Sequence, residues 1–210
     1  MKQTTSDPVV FLNTAALFGS ALLVGMAFSM QILLAELPCA LCNLQRLEFL
    51  LFGSGLFIVL LYPERYGSGY LVSGISAIVG ACTAITQVFI HILPTDEGGV
   101  GSPVLGFHLY AWCFVLFILA IAYVLTLQSV HKPSVVEAVG GTGWQRFRRQ
   151  PRMIKTTIAF YIFIAIVASS SAFVANGFGP FLEGGQQKYW LIEVIKQPGT
   201  EITKDVLMGR

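Results

Sequence analysis

Five long apolar runs separated by short polar connections leave this chain very few architectures. Residues 9–34, 47–62, 70–93, 104–127 and 156–178 are each about long enough to cross a hydrocarbon core of about 30 Å as an α-helix, the second being the shortest. The rest of the chain agrees. Of 210 residues, 55% are hydrophobic and 11% charged, roughly half the charge fraction of an ordinary soluble domain, and the mean hydropathy is +0.71. The expectation is an all-α, polytopic membrane protein, one helical bundle followed by a tail. The first run is too long for a signal peptide and lacks a small-residue cleavage site, so it is expected to remain as an anchor.

Orientation follows from the basic residues. Between residues 128 and 155 lie His131, Lys132, Arg146, Arg148, Arg149, Arg152 and Lys155 against a single Glu137. The positive-inside rule makes that connection cytoplasmic. Five crossings then place the N-terminus inside as well, and the tail from 179 to 210 outside. The connection PTDEGGVGSP and the stretch ELPCALCNLQR also fall outside. A juxtamembrane position, facing membrane lipid, accounts for the basic cluster, so nucleic acid is not expected as a partner. A short interfacial helix is expected at WQRFRRQ, where Trp144 and Phe147 are three apart. In the tail, KYWLIEVI at 188–195 suits a strand or an aromatic belt at the lipid surface.

The four cysteines are not equivalent. Cys82 and Cys113 lie inside apolar runs, where a thiol behaves as a small hydrophobe. At a rise of about 1.5 Å per residue both fall roughly 12 to 17 Å below the outer helix ends, so contact between them depends on how their helices face. Cys39 and Cys42 lie outside, where disulfides persist, and their spacing allows one readily exchanged bridge. Cys42 is expected on or just before the first turn of the second helix, where the helix dipole and Arg46 both favour a thiolate. Pro38 sets the direction of entry. Taken alone, the Cys-x-x-Cys also fits half of a metal site. Cys39, Cys42, His91 and His108 all map to the outer rim, and two thiolates with two imidazoles would complete a zinc tetrahedron.

The run QILLAELPCALCNLQR resembles the signature of the disulfide bond formation protein B family of membrane thiol oxidases: Gln31 near the end of the first span, then Pro38, Cys39, Cys42 and Arg46. TQVFIHILP at 86–94 is similar to that family's close of the third span, and LGFHLYAW at 105–112 to its opening of the fourth. The likeness covers roughly the first 130 residues. It implies a four-helix membrane domain at 1–130, with a basic cytoplasmic loop at 131–155, a fifth transmembrane helix at 156–178 and a periplasmic tail at 179–210 as additions. It also implies a place in a bacterial inner membrane and a route for electrons. A periplasmic thioredoxin-like dithiol partner would deliver them to the catalytic pair Cys39 and Cys42, and ubiquinone or menaquinone beside that pair would take them. Arg46, Gln87 and His91 are the candidates to hold the quinone carbonyl oxygens, no metal being required. In vitamin K epoxide reductases, also membrane bundles, the Cys-x-x-Cys comes late; here it follows the first span.

The chain departs from this pattern in one respect. The family carries a second cysteine pair between the third and fourth spans, and TDEGGVGS holds none. Two readings of function follow. In one, Cys39–Cys42 exchanges directly with a partner dithiol. In the other, the protein is a non-catalytic subunit of a larger membrane complex, docked through its fifth helix and tail. Glu48, just inside the second span, is expected to neutralise Arg46 at the rim or, failing that, to take up protons.

Overall fold

The computed structural model describes residues 7–33, 38–91, 105–130 and 142–176. The connection at 92–104 and the tail, with its 188–195 segment, lie outside the described residues. Those described fold into α1 (Pro8–Leu33), α2 (Ala40–Leu61), a 3₁₀ turn (Pro63–Arg65), α3 (Tyr66–His91), α4 (Leu109–Val130), α5 (Gly143–Arg149) and α6 (Arg152–Asn176). The protein is all-α. Every helix but α5 is long and apolar enough to cross a membrane. Large apolar side chains such as Leu22, Ile75 and Phe163 cover the outer faces, as lipid-facing positions require.

Two boundaries differ most from the sequence expectation. The second helix begins at Ala40 rather than at residue 47, because the polar residues of its first two turns face neighbouring helices instead of ending the span. The fourth begins at Leu109 rather than at 104, after a turn in which Leu105 and Gly106 take φ of 52° and 83°.

Lipid offers little hydrophobic drive for helices to associate, so close packing and interhelical hydrogen bonds must hold them. The centre of the molecule is the α2/α3 pair. α4 lies against α3, α1 against α2, and α6 against α1 with a lesser contact to α2. Backbones meet where Gly55 faces Gly69: a Cβ on Gly55 would stand 2.4 Å from the Gly69 carbonyl oxygen. Ser73 Oγ donates to the Phe52 carbonyl at 2.8 Å across the same seam. Gly80 leaves room for the Phe117 ring, which stacks on Phe49 with centroids 4.1 Å apart and so joins α2, α3 and α4. On the other side, Tyr161 of α6 donates its hydroxyl to the Leu50 carbonyl, and its ring fills the space beside Gly53.

The two ends of the bundle differ. At one end, Asn13 of α1 donates to Tyr70 of α3 at 2.8 Å and accepts from Tyr123 of α4 at 2.9 Å. Here too lies α5, opened by a reciprocal cap between Thr142 and Gln145. Arg146 pairs with Glu64 at 2.6 Å and covers the Tyr62 ring. Arg148 and Arg149 of this helix and Arg152 at the start of α6 are exposed at the same end. The Cys39–Cys42 pair is at the opposite end.

Candidate functional site

The cysteines are placed by the start of α2. Pro38 is buried, and Cys39 follows in extended conformation (φ −66°, ψ 167°) as the helix N-cap. Its sulfur accepts the backbone N–H of Cys42 at 3.1 Å, satisfying one of the N–H groups that a helix start leaves unpaired, and its carbonyl accepts that of Asn43 at 3.0 Å as the first bond of the helix. Cys42 is in the first turn, as expected. The two residues form a disulfide with Cα atoms 5.1 Å apart, both half-buried. It is thus Cys39, rather than Cys42, whose sulfur receives the hydrogen bond from the helix terminus.

α3 supplies the next contact. Gln87 is fully buried, and its Nε2 lies 3.4 Å from Cys42 Sγ and 3.5 Å from Cys39 Sγ. Its Oε1 accepts from Gln45 Nε2 of α2 at 2.8 Å. One amide is therefore fixed at both ends, with its donor side on the sulfurs. His91, one turn later, turns elsewhere: its Nδ1 is 2.8 Å from the Gln87 carbonyl oxygen and its ring stacks on Tyr110, centroids 5.3 Å apart. His108 stacks on the same tyrosine at 5.3 Å. The histidines are thus engaged with an aromatic ring, and among the described residues no group of three or more His, Cys, Asp or Glu side chains is arranged to hold a metal ion.

α1 takes hold of Arg46. Its Nη1 donates to Gln31 Oε1 at 2.7 Å and its Nη2 to the Ala27 carbonyl at 2.9 Å. Gln31 Nε2 in turn donates to Ser171 Oγ of α6 at 3.1 Å. The guanidinium therefore sits one turn after Cys42, directed at α1. Glu48 does not neutralise it, contrary to the sequence expectation. Residues two apart project from different sides of a helix, and Glu48 faces α3, where its Oε1 accepts from Thr83 Oγ1 at 2.7 Å while Oε2, buried, has no partner among the described residues. At 2% exposure this is a buried carboxyl group at membrane depth.

The remaining thiols stand apart. Cys82 is exposed on the outer face of α3, and Cys113 packs against the core from α4, both unpaired. Because α4 starts at Leu109, Cys113 lies only about 6 Å from the helix end, shallower than the sequence implied. Sequence reasoning passed over Gln45, Thr83 and Ser171. Gln45 and Thr83 carried a signal, since one precedes Arg46 in the motif and the other lies one turn before Gln87. Ser171 carried none.

Residues 10–101 match the family model for disulfide bond formation protein DsbB. The chain is 31% identical over 85 residues to disulfide bond formation protein B of Stutzerimonas stutzeri (strain A1501), an alignment covering 39% of this chain and 52% of the relative. The chain thus spans about half the length of the curated relative that it matches. No solved structure matches it. The matched segment holds α2, α3, nearly all of α1, and with them Cys39, Cys42, Arg46 and Gln87, and over these residues the chain is similar to disulfide bond formation protein DsbB.

Proposed function

We propose that this protein is a membrane thiol–disulfide oxidoreductase with a single working pair, Cys39 and Cys42, passing electrons from a thioredoxin-like dithiol protein to ubiquinone or menaquinone. The observation that carries this reading is the Gln87 amide held against both sulfurs, one turn from a buttressed Arg46. A structural disulfide has no need of a positioned donor and a fixed cation. Both serve a pair that alternates between neutral disulfide and charged thiolate.

Exchange begins when a thiolate of the partner attacks one sulfur of the Cys39–Cys42 bond. The partner's second thiol then closes its own disulfide and leaves two thiols here. Cys39, at the N-cap, is the sulfur proposed to meet the partner, and Cys42, inside the first turn, the one proposed to face the acceptor. A bound quinone would supply an acceptor for two electrons and two protons, reforming the bridge. The donor chemistry fits such a group: Arg46 and Gln87 carry N–H donors of the kind a carbonyl oxygen needs as negative charge develops on it. His91, stacked on Tyr110 in the same turn as the end of α3, is proposed to line the head-group site from that side. We place the pair on the periplasmic side of a bacterial inner membrane, since the exposed arginines gather at the other end.

The test is quinone reduction by a model dithiol. Cys42→Ser should abolish it, and unchanged turnover would end the proposal. The lack of any cysteine between α3 and α4 favours a second reading, a non-catalytic subunit of a larger assembly. Gentle purification separates the two: an active small species excludes the subunit, and a stoichiometric large complex without thiol turnover supports it.

A further inference from the structure

We propose that the bend between α5 and α6 binds the head group of an anionic phospholipid, the guanidinium groups of Arg148, Arg149 and Arg152 taking the phosphate and Trp144 lying at the level of the lipid's ester groups. This site is independent of the redox reading, since the bend lies at the end of the bundle opposite the cysteines.

The bend is fixed from inside. Thr142 and Gln145 close the start of α5, and Phe147 packs against the core. The Gln150 side chain donates to the Leu60 carbonyl, near the end of α2, at 3.3 Å. Gln150 and Pro151 then separate the last turn of α5 from the first of α6. Three exposed arginines within five positions are thereby carried on a braced support rather than on a free loop.

Their charge is not neutralised within the described residues. This end of the bundle carries two described acids. Glu64 is held by Arg146 at 2.6 Å, and Asp7 accepts the Val9 N–H at 3.0 Å at the start of α1. Arg146 is the contrast to its neighbours: it lies on the same helix, yet it covers the Tyr62 ring, 4.8 Å from its centroid, and is paired.

Depth follows from α6. Arg152, Thr156, Phe163 and Ile166 follow the helical repeat along one exposed side. An apolar side that faces lipid and ends in a cation puts that cation among the head groups. Trp144, 65% exposed, adds the amphipathic ring usual at that depth, and the Arg148 guanidinium stands 6.0 Å from its centroid.

Chemistry selects the lipid. A phosphate diester offers acceptor oxygens to guanidinium forks. Phosphatidylglycerol brings that anion without a cation of its own, whereas the choline of phosphatidylcholine would add a fourth positive group to three. Each arginine should favour the anionic lipid about fivefold, as for other cations near an anionic surface.

The test uses the full chain in phosphatidylcholine vesicles containing a small fraction of brominated phosphatidylglycerol. Quenching of Trp144 is read as the difference between the protein and its Trp144→Phe variant. At equal mole fraction, brominated phosphatidylglycerol should quench more strongly than brominated phosphatidylcholine, and the preference should weaken as salt is raised. Arg148→Gln, Arg149→Gln and Arg152→Gln should each lower the preference about fivefold. These positions are exposed, so the thermal midpoint in neutral detergent should not move, and loss of lipid is separable from loss of fold. Equal quenching by the two brominated lipids, a preference that survives all three replacements together, or displacement of the lipid by an equal concentration of inorganic phosphate would overturn the proposal.

Discussion

Replacing Gln87 by Leu is the sharpest perturbation of this site, because one side chain makes every contact concerned and the new one has nearly the same volume. The loss divides in two. The bond from Gln45 Nε2 at 2.8 Å disappears and strands a buried donor. A stranded donor costs about 1–3 kcal/mol in soluble proteins, while side-chain hydrogen bonds between membrane helices average about 0.6 and reach about 1.7 kcal/mol. A loss of about 1–2 kcal/mol in stability is expected. The second part concerns the N–H groups 3.4 and 3.5 Å from the two sulfurs. These are weak contacts to a neutral disulfide but charge-assisted ones to a thiolate, so their removal penalises the reduced pair by about 1.4 kcal/mol more than the oxidised pair, the lower end of the range for bonds to charged groups. That amounts to about tenfold in the exchange equilibrium with glutathione, or about 30 mV towards more negative potential. Stability would be read by denaturant titration in detergent, and potential by thiol trapping. Gln45→Leu is the control: it should cost similar stability and leave the potential within a few millivolts. If Gln45→Leu moved the potential as far as Gln87→Leu does, or if neither moved it, the assignment of Gln87 as the donor to the sulfurs would be refuted.

Two further outcomes follow from the geometry. Arg46→Lys retains the charge but cannot span Gln31 Oε1 and the Ala27 carbonyl together; the KM for quinone should rise about tenfold, the equivalent of about 1.4 kcal/mol lost from one charge-assisted bond, with little change in the rate of thiol exchange. Gly80→Val places a Cβ about where the Phe117 ring lies, 2.4 Å from its Cζ; overpacking of this kind should destabilise the bundle by about 1–3 kcal/mol, read as a lower thermal midpoint, and should break the Phe49–Phe117 stack.

The helices were legible in the sequence because lipid leaves a crossing segment few choices, and a run of about twenty apolar residues is hard to mistake. The start of α2 was the exception. Cys42, Gln45 and Arg46 interrupt hydrophobicity there, and a reading by apolar content ends the span where the polar residues begin. In the structure Gln45 turns to Gln87 and Arg46 to Gln31, so the interruption is the candidate site itself. Spacing alone placed Gln87 and His91 on one face of α3, but a further turn along a helix is enough to carry His91 to Tyr110 and away from the sulfurs. Spacing also set Glu48 beside Arg46, where the helical rotation between them sends one to α3 and the other to α1. Ser171 was illegible for a plainer reason. Nothing local distinguishes it from Ser169 and Ser170, and only the packing of α6 onto α1 reveals which of the three turns inward.

The Asn13, Tyr70 and Tyr123 cluster constrains how the protein is made. Asn13 leaves the ribosome early, yet the groups that satisfy it are 57 and 110 residues further along the chain. Until those segments have been inserted, the first helix carries a carboxamide into the membrane with no mate and nothing to fix its rotation about its own axis. Its final seating must therefore wait for the fourth helix, so a ribosome halted before Tyr123 would leave a nascent protein whose Cys39–Cys42 pair has already been made while its first helix is still free to turn.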